Sequence, residues 1–347
     1  MKRFSTPLIL IATGLWLALS ACAWIASLAE REESAATPTL EALQASSTPE
    51  DALQGRMMIP LVFDSAFFSP SSMVFDGENI WVGGRERDLA VEVSVNDGQI
   101  QQVVQLAKMG VGVPGLAFDG RHVWALVGDS VIKFRASDGE ILGTYYFDFD
   151  SAGFTPASIL YDGTHFWVGG KNRDLVLHVS VHDGSVLQIV QLAKLGVGVP
   201  DLAFDGEYIW ALVGDSVVKL NARDGAIVGT YYFDFDSAGF TPESIVYDGE
   251  NIYVGGRNRD LAVKLSAEDG SILHVTPLAK LGVGVPDLAF DGEHVWALVA
   301  DMAIKLRASD GVVVESYEAA EGASSLVFDG ASMWAADTKN GNLIRLY

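Results

Sequence analysis

Cysteine is nearly absent from this 347-residue sequence, in which Cys22 is the only one. Neither a disulfide framework nor a cysteine-based metal site can therefore form within the chain. Basic residues are also scarce, with 23 Lys and Arg against 45 Asp and Glu, and the formal net charge is −22. This charge argues against binding of nucleic acid, whose phosphate backbone requires a basic surface.

The first 28 residues have the pattern of an export signal. Lys2 and Arg3 precede an apolar stretch, which is the order of a basic n-region and an apolar h-region. The segment Leu19-Ser20-Ala21-Cys22 resembles the lipobox of bacterial lipoproteins, which makes Cys22 the predicted lipidation site. Because apolar residues continue beyond Cys22, an uncleaved segment long enough to span a bilayer, about 20 residues, is the alternative.

Both alternatives predict a membrane-anchored protein of the bacterial cell envelope. Lys2 and Arg3 stay on the cytoplasmic side, and the bulk of the chain lies outside the cytoplasm. Residues 29–55 are polar and non-periodic, a composition that predicts a flexible linker because too little apolar surface can be buried to offset the ordering entropy. The folded domain is predicted over residues 56–347. The sequence does not distinguish the two kinds of anchor or name the envelope membrane.

An aromatic-Asp-Gly motif recurs seven times in that domain. Short runs rich in Val, Ile and aromatic residues flank it, and Asp-Gly pairs favour the tight turns of hairpins. Seven copies at a period near 40 predict an all-β fold, a seven-bladed β-propeller. The first six copies are 43 residues apart and the last step is 38, with the Asp at positions 76, 119, 162, 205, 248, 291 and 329.

The ends of the domain predict how the ring closes. The seventh repeat is one strand short, and Met57–Asp64 aligns with the fourth strands of other repeats. This N-terminal strand is predicted to complete the seventh blade, which removes exposed strand edges. One aromatic position recurs in every repeat and is predicted to pack blade against blade rather than to form a ligand cage. Its residues are Trp81, Trp124, Trp167, Trp210, Tyr253, Trp296 and Trp334.

Strand alternation predicts which side chains face the central channel. The rim of such a channel is the default position for a small ligand. Two carboxylates and several hydroxyls are not a catalytic arrangement by themselves. The candidate ligand-binding residues at this rim are Ser72, Ser158, Asp201, Ser244, Asp287 and Ser325.

A second period of 86 residues distinguishes blades 1, 3 and 5, whose loops are longer and carry both signs of charge. One interpretation is a recognition surface for carboxylates or phosphates. The favoured one is mutual neutralisation of Arg and Asp across neighbouring loops. The Asp-x-Asp pairs at 148/150 and 234/236 could offer oxygens to Ca²⁺, but no dense ligand run with a bidentate Glu follows them. The candidate binding residues here are Arg87, Arg173, Arg259, Asp150 and Asp236.

No catalytic set, metal site or cofactor is predicted. The Gly-Val-Gly-Val-Pro segments lack the Lys and the following helix of a phosphate-binding loop. The histidines are predicted not to converge, so neither a His-based metal cluster nor a Ser/His/Asp set is expected. They lie after Asp-Gly turns (His122, His165 and His294), on or beside a third strand (His178 and His182) and on a fourth strand (His274).

The Phe-Asp-Gly-x-x-Ile-Trp-Val repeats, with a Pro upstream and an Ala-Ser-Asp-Gly turn downstream, resemble YVTN/NHL-type bacterial propeller repeats over residues 56–347. They are also broadly similar to the propellers of streptogramin B lyases. The resemblance implies the fold, but these propellers include enzymes as well as binding modules. The lyases use a His and an acidic residue with Mg²⁺, and no position here matches that His. Lactonase-type propellers hold a metal with Glu, Asn and Asp, from which the rim set departs.

Together these features favour a monomeric, membrane-tethered binding scaffold with a protein, peptide or glycan partner over an enzyme, and they do not decide whether the protein has enzymatic activity. The alternative is a metal-dependent lyase or lactonase that acts at the channel mouth.

Overall fold

Seven four-stranded antiparallel sheets make up the part of the chain that the computed structural model describes, which is residues 57–62, 67–147, 153–233 and 239–347. Each sheet is one blade, and the predicted all-β seven-bladed propeller is confirmed. The predicted signal or anchor with Cys22, the linker at 29–55, and Asp150 and Asp236 lie outside the described residues. Within those described ranges, no helix is long and apolar enough to cross a membrane.

The N-terminal strand closes the ring, as predicted. β1 (Met57–Pro60) pairs antiparallel with β28 (Asn342–Arg345), so that Met57 lies opposite Arg345. Blade 7 is completed by β26 (Ala323–Phe328) and β27 (Met333–Asp337), in the order β1-β28-β27-β26. The strand is shorter than the sequence predicts and ends at Pro60.

Blades 1, 3 and 5 begin with first strands of six residues. Blade 1 comprises β2 (Pro70–Phe75), β3 (Asn79–Gly84), β4 (Leu89–Ser94) and β5 (Ile100–Gln105). Blade 3 comprises β10 (Pro156–Tyr161), β11 (His165–Gly170), β12 (Leu175–Ser180) and β13 (Val186–Gln191). Blade 5 comprises β18 (Pro242–Tyr247), β19 (Asn251–Gly256), β20 (Leu261–Ser266) and β21 (Ile272–Pro277).

Blades 2, 4 and 6 begin with first strands of three residues. Blade 2 comprises β6 (Leu116–Phe118), β7 (His122–Val127), β8 (Ser130–Arg135) and β9 (Ile141–Tyr146). Blade 4 comprises β14 (Leu202–Phe204), β15 (Tyr208–Val213), β16 (Ser216–Asn221) and β17 (Ile227–Tyr232). Blade 6 comprises β22 (Leu288–Phe290), β23 (His294–Val299), β24 (Met302–Arg307) and β25 (Val313–Glu318).

The recurring aromatic residues form the core between blades. Trp81 is fully buried and meets Phe134 of blade 2 edge to face, with ring centroids 4.9 Å apart. Such contacts, repeated around the ring, bury the faces that a single blade would leave exposed. The predicted packing role of the aromatic position is confirmed, because all seven residues are 0 % exposed.

The Asp of the repeated motif has a second role beyond its turn. Its carboxylate accepts the backbone N–H groups two and three residues later, which fixes the turn. The other oxygen of Asp76 accepts the indole N–H of Trp81 at 3.0 Å. The same bond joins Asp to Trp in five more blades, at 119/124, 162/167, 205/210, 291/296 and 329/334.

Candidate functional site: the channel mouth and its surrounding loops

A cavity of about 300 Å³ opens at the face where the first strands begin. Every blade contributes to its wall, because the first strands are the innermost ones. Five of the six rim residues singled out from the sequence line this one mouth, and Ser244 is the exception. The residues that line it near the start of each blade are Ser71 and Ser72, Pro114 and Gly115, Ala157 and Ser158, Pro200 and Asp201, Glu243, Pro286 and Asp287, and Ser324 and Ser325.

The buried rim hydroxyls of blades 1, 3 and 5 are engaged in the structure itself. Ser72 Oγ donates to the carbonyl of Val113 at 2.8 Å, and Val113 lies in the loop that enters blade 2. Ser158 donates to Val199 at 3.0 Å, and Ser244 donates to Val285 at 2.8 Å. These hydroxyls therefore tie each odd blade to the following even blade.

The two rim aspartates tie even blades to the odd blades that follow. Asp201 accepts the N–H of its neighbour Leu202 at 2.8 Å through Oδ1 and that of Ile245 in blade 5 at 2.9 Å through Oδ2. Asp287 makes the same pair of bonds, to Leu288 at 2.9 Å and to Leu326 in blade 7 at 2.6 Å. Blade 2 has Gly115 at this position and cannot make the bond.

The mouth carries acidic side chains on three consecutive blades. Burial, with a contribution from the Asp287 carboxylate, raises the pKa of Asp201 to about 8, and burial raises the pKa of Asp287 to about 6. Glu243 lies on the blade between them and forms an ion pair with Arg257. Among the described residues, no Lys or Arg lines the cavity. At neutral pH Asp201 is therefore mostly protonated and Asp287 mostly ionised, and a cationic group that pairs with Asp287 complements this mouth.

The odd-blade arginines lie on the loops between the second and third strands. Arg87, Arg173 and Arg259 are half-buried, and Nη1 of Arg173 donates to the carbonyl of Gly153 at 3.2 Å. They do not line the cavity. Their predicted counterparts Asp150 and Asp236 lie outside the described residues, so the predicted pairing of these loops stays a prediction.

The aspartates next to these arginines have a role that sequence reasoning missed. Asp88 is 2 % exposed and accepts four consecutive backbone N–H groups from the loop that enters blade 2. The donors are Met109 at 2.5 Å, Gly110 at 2.8 Å, Val111 at 2.8 Å and Gly112 at 2.9 Å. Successive N–H groups that converge in this way form a backbone nest for an anion.

The same nest occurs three times. Asp174 accepts the N–H groups of residues 195–198, and Asp260 accepts those of residues 281–284. Burial alone would raise the pKa of Asp88 and Asp174, but the four N–H donors outweigh it and hold each pKa below its ordinary value. The Gly-Val-Gly-Val segments are thus anion-binding loops that bind a carboxylate of their own chain.

Glycine is required at the end of each nest. Gly112 has φ +82°, and a Cβ added there would lie 1.9 Å from the carbonyl oxygen of Arg85. Equivalent clashes occur at Gly198 with Lys171 and at Gly284 with Arg257. A side chain at these positions would separate the loop from the blade that holds it.

Each nest holds two apolar side chains out into solvent. We call these pairs the three apolar tips: Met109 with Val111, Leu195 with Val197, and Leu281 with Val283. Their side chains are 49–62 % exposed. They lie on the face of the channel mouth, since Pro114, Pro200 and Pro286 at the ends of the same loops line the cavity.

Two histidines converge on the opposite face, contrary to the sequence-based expectation. His165 and His178 lie with ring centroids 4.5 Å apart, and His178 stacks on Trp167. The expectation was wrong because it placed the residues on different strands without the hairpin register. That register sets Trp167 opposite His178, which brings His165, two residues away, to the same side.

Comparison with known proteins does not indicate a function for this chain. No family model matches the chain, and no curated protein matches it. The resemblance to YVTN/NHL-type repeats therefore rests on the repeat motifs, and the seven-bladed propeller is what the structure shows.

Proposed function

We propose that the protein is an interaction scaffold of the bacterial cell envelope, anchored through its N-terminal segment, with the propeller outside the cytoplasm. Its channel face binds a protein or peptide partner. The observation that carries this proposal is the set of three apolar tips, held rigidly around an acidic mouth.

Exposed apolar side chains on rigid loops are suited to binding. Their contact area is removed from water when a partner docks, and a loop that is already ordered has little conformational entropy to lose. The buried aspartates supply that order, because each fixes four backbone groups of the loop. Matching patches on three loops would contact a partner that lies across the mouth.

Charge complements this apolar contact. The ionised carboxylate of Asp287 favours a partner that brings Lys or Arg to the mouth, and opposite charges across an interface speed association and fix orientation. The expected partner is therefore a protein segment with apolar side chains flanking a basic group.

The rim groups are poorly suited to covalent catalysis. A nucleophilic hydroxyl needs an adjacent base that accepts its proton. Ser72, Ser158 and Ser244 instead donate to backbone carbonyls. Both carboxylate oxygens of Asp201 and of Asp287 accept backbone N–H groups. These bonds favour a binding role over an enzymatic one.

Photo-crosslinking on whole cells tests the proposal. A photoreactive residue at Leu195 should crosslink a distinct partner that the same residue at Val228, on the outer strand of blade 4, does not. With that partner purified, the triple variant Met109→Glu, Leu195→Glu and Leu281→Glu should bind at least 10-fold more weakly.

The matched control places the same three charges on outer strands. Leu187→Glu, Val228→Glu and Val314→Glu alter side chains of similar exposure, 51, 54 and 48 %. Equal affinity of the two triple variants, or the same crosslinks from both sites, would contradict the proposed binding face.

The raised pKa of Asp201 favours a second candidate, a metal-dependent lyase or lactonase at the mouth, because perturbed carboxylates cluster at functional sites. Metal analysis of the purified chain tests it. A stoichiometric metal that is lost in Asp201→Ala and Asp287→Ala, but kept when His178 is replaced, would support the enzyme. If these two substitutions do not change the metal content, the result would favour the interaction scaffold over the enzyme.

A further inference from the structure

Blade 3 contains a cluster that recurs nowhere else in the described part of the chain. Asp162, His165 and His178 each offer one ligand atom, and these three atoms lie within 4.8 Å of one another. The cluster sits where the first two strands of blade 3 meet in their Asp-Gly turn, on the face opposite the channel mouth. It is separate from the apolar tips and from the rim.

His178 is the unusual member of this cluster. Its side chain is deeply buried, since the residue is only 5 % exposed. Its Nε2 atom has no hydrogen-bond partner, the only such case among the buried side-chain N and O atoms of the described residues. A buried polar atom without a partner costs free energy. A ligand that this nitrogen can bind would remove that cost.

The other blades show what normally fills this position. The residue opposite the recurring aromatic is charged in each of them: Glu92, Lys133, Lys219, Lys264, Lys305 and Arg345. Lys133 lies over Trp124, with its Nζ 4.7 Å from the ring centroid, and donates to the carbonyl of Val181 in the next blade at 3.1 Å. His178 stacks on Trp167 in the same place, 4.4 Å between centroids, but is too short to reach the next blade as Lys133 does.

Blades 2 and 6 are internal controls for the cluster. Each has the same Asp and the same His, at Asp119 with His122 and at Asp291 with His294. Each carries Lys where blade 3 has His178. An ammonium group cannot ligate a metal and repels one, so only blade 3 combines the three ligands.

We propose that Asp162, His165 and His178 form a binding site for one divalent transition-metal ion, with Zn²⁺ as the reference ion. Two imidazoles and one carboxylate are a common set of protein ligands for such an ion. Around a tetrahedral ion with bonds near 2 Å, the ligand atoms would be about 3.4 Å apart.

The protonation states suit this role. Burial, together with the neighbouring His165, lowers the pKa of His178, so that its ring is neutral at pH 7. Burial alone would raise the pKa of Asp162, but hydrogen bonds from His165 N–H, Trp167 and Thr164 hold it below its ordinary value, and the carboxylate is ionised. Its Oδ2 accepts only the Trp167 indole at 2.8 Å and retains a lone pair.

Calorimetric titration of Zn²⁺ into the purified full-length chain, made without a polyhistidine tag, tests the site. The wild type should bind one ion and gain thermal stability from it, because a ligand that binds only the folded state stabilises that state. His178→Lys should weaken binding at least 100-fold. This variant reproduces the arrangement of blades 2 and 6, which fold with Lys in that position.

Two further measurements keep the test decisive. His122→Asn removes a histidine from blade 2 and should leave the affinity for Zn²⁺ unchanged. Electron paramagnetic resonance of the Cu²⁺-loaded wild type should show two imidazole nitrogens on the ion, whatever the stability of the variants. No binding by the wild type, equal affinity in His178→Lys, or a signal from a single imidazole would overturn the proposal.

Discussion

Two kinds of junction alternate along the channel face from blade 1 to blade 7, and they differ in the number and kind of hydrogen bonds that join neighbouring blades. From an odd blade to an even one, a serine hydroxyl donates to a carbonyl of the next blade, and a buried aspartate accepts four N–H groups of its entry loop. From an even blade to an odd one, a single carboxylate such as Asp201 accepts one N–H of the next blade. Between blades 2 and 3, Gly115 provides no such bond.

The difference shows that the 86-residue period is a physical unit. The aspartate of an odd blade and the nest of the following even blade depend on each other. Without the carboxylate the N–H groups of the nest lack their acceptor, and without the nest the buried carboxylate lacks its donors. At the channel face, more hydrogen bonds join the two blades of a pair than join one pair to the next. The predictions below test this order of strengths.

The largest effect is expected at a nest. Asp174→Ala leaves four N–H groups without their charged acceptor and should lower the free energy of unfolding by about 3 kcal/mol. Denaturant unfolding measures this loss, and hydrogen exchange should show reduced protection at residues 195–198. Asp215→Ala, an exposed carboxylate on the same face, should change stability by no more than about 0.5 kcal/mol. If both substitutions lower the free energy of unfolding equally, the nest does not stabilise its junction as proposed.

A smaller effect is expected at the even-to-odd junction, and it depends on pH. The pKa of Asp201 is raised from 3.8 to about 8 in the folded state. Its contribution to the free energy of unfolding is therefore fully present below pH 3.8 and is lost as the pH rises towards 8. Between pH 6.5 and 8 the unfolded chain has already released this proton. The wild type should therefore lose about 1–2 kcal/mol of unfolding free energy over that interval.

The control for this pH dependence is the variant without the carboxyl group. Asp201→Ala should show a flatter profile from pH 6.5 to 8, whereas Asp215→Ala should follow the wild type. Unfolding in denaturant at four pH values within the interval provides the measurement. An unchanged slope in Asp201→Ala would assign the pH dependence to other groups.

The smallest effect is expected from completing the junction that lacks a carboxylate. A Cβ at Gly115 would lie 3.7 Å from the backbone N of Ile159 and 3.1 Å from its Cγ2, so a small adjustment admits a side chain. Gly115→Asp should be about 1 kcal/mol more stable than Gly115→Ala, the control for backbone entropy. Thermal unfolding compares the two, and no gain over Gly115→Ala would show that the bond is not formed or not stabilising.

The fold was predictable because its determinants are local and repeated. Seven Asp-Gly motifs at nearly constant spacing require seven similar hairpins, and the strand missing after Tyr347 required one from Met57 onward. The rim residues were predictable for the same reason, since alternation along one strand fixes which side chains face the channel. Predictions at Cys22, Asp150 and Asp236 lie outside the described residues and stay predictions.

The nests were not predictable in the same way. Their donors are backbone N–H groups, which every residue except proline has, and their acceptor lies 21 to 24 residues earlier on another blade. The sequence offered one indication of the nests, which is that each Gly-Val-Gly-Val segment follows an aspartate at a constant distance. These aspartates are Asp88, Asp174 and Asp260. The histidine pair could have been found, because aligning the two strands of the blade 3 hairpin places His178 beside His165.

The nest also bears on how the ring grew. An aspartate and the loop that it organises belong to different blades. Duplication of one blade alone would therefore have produced a carboxylate without its four N–H donors, or a loop without its carboxylate. Only a two-blade segment carries both halves in a single genetic event, and three such segments account for six blades. The seventh blade, whose described residues include neither half and which β1 completes, supplies the odd number. Rings descended from this one should gain or lose blades in twos, through five or nine.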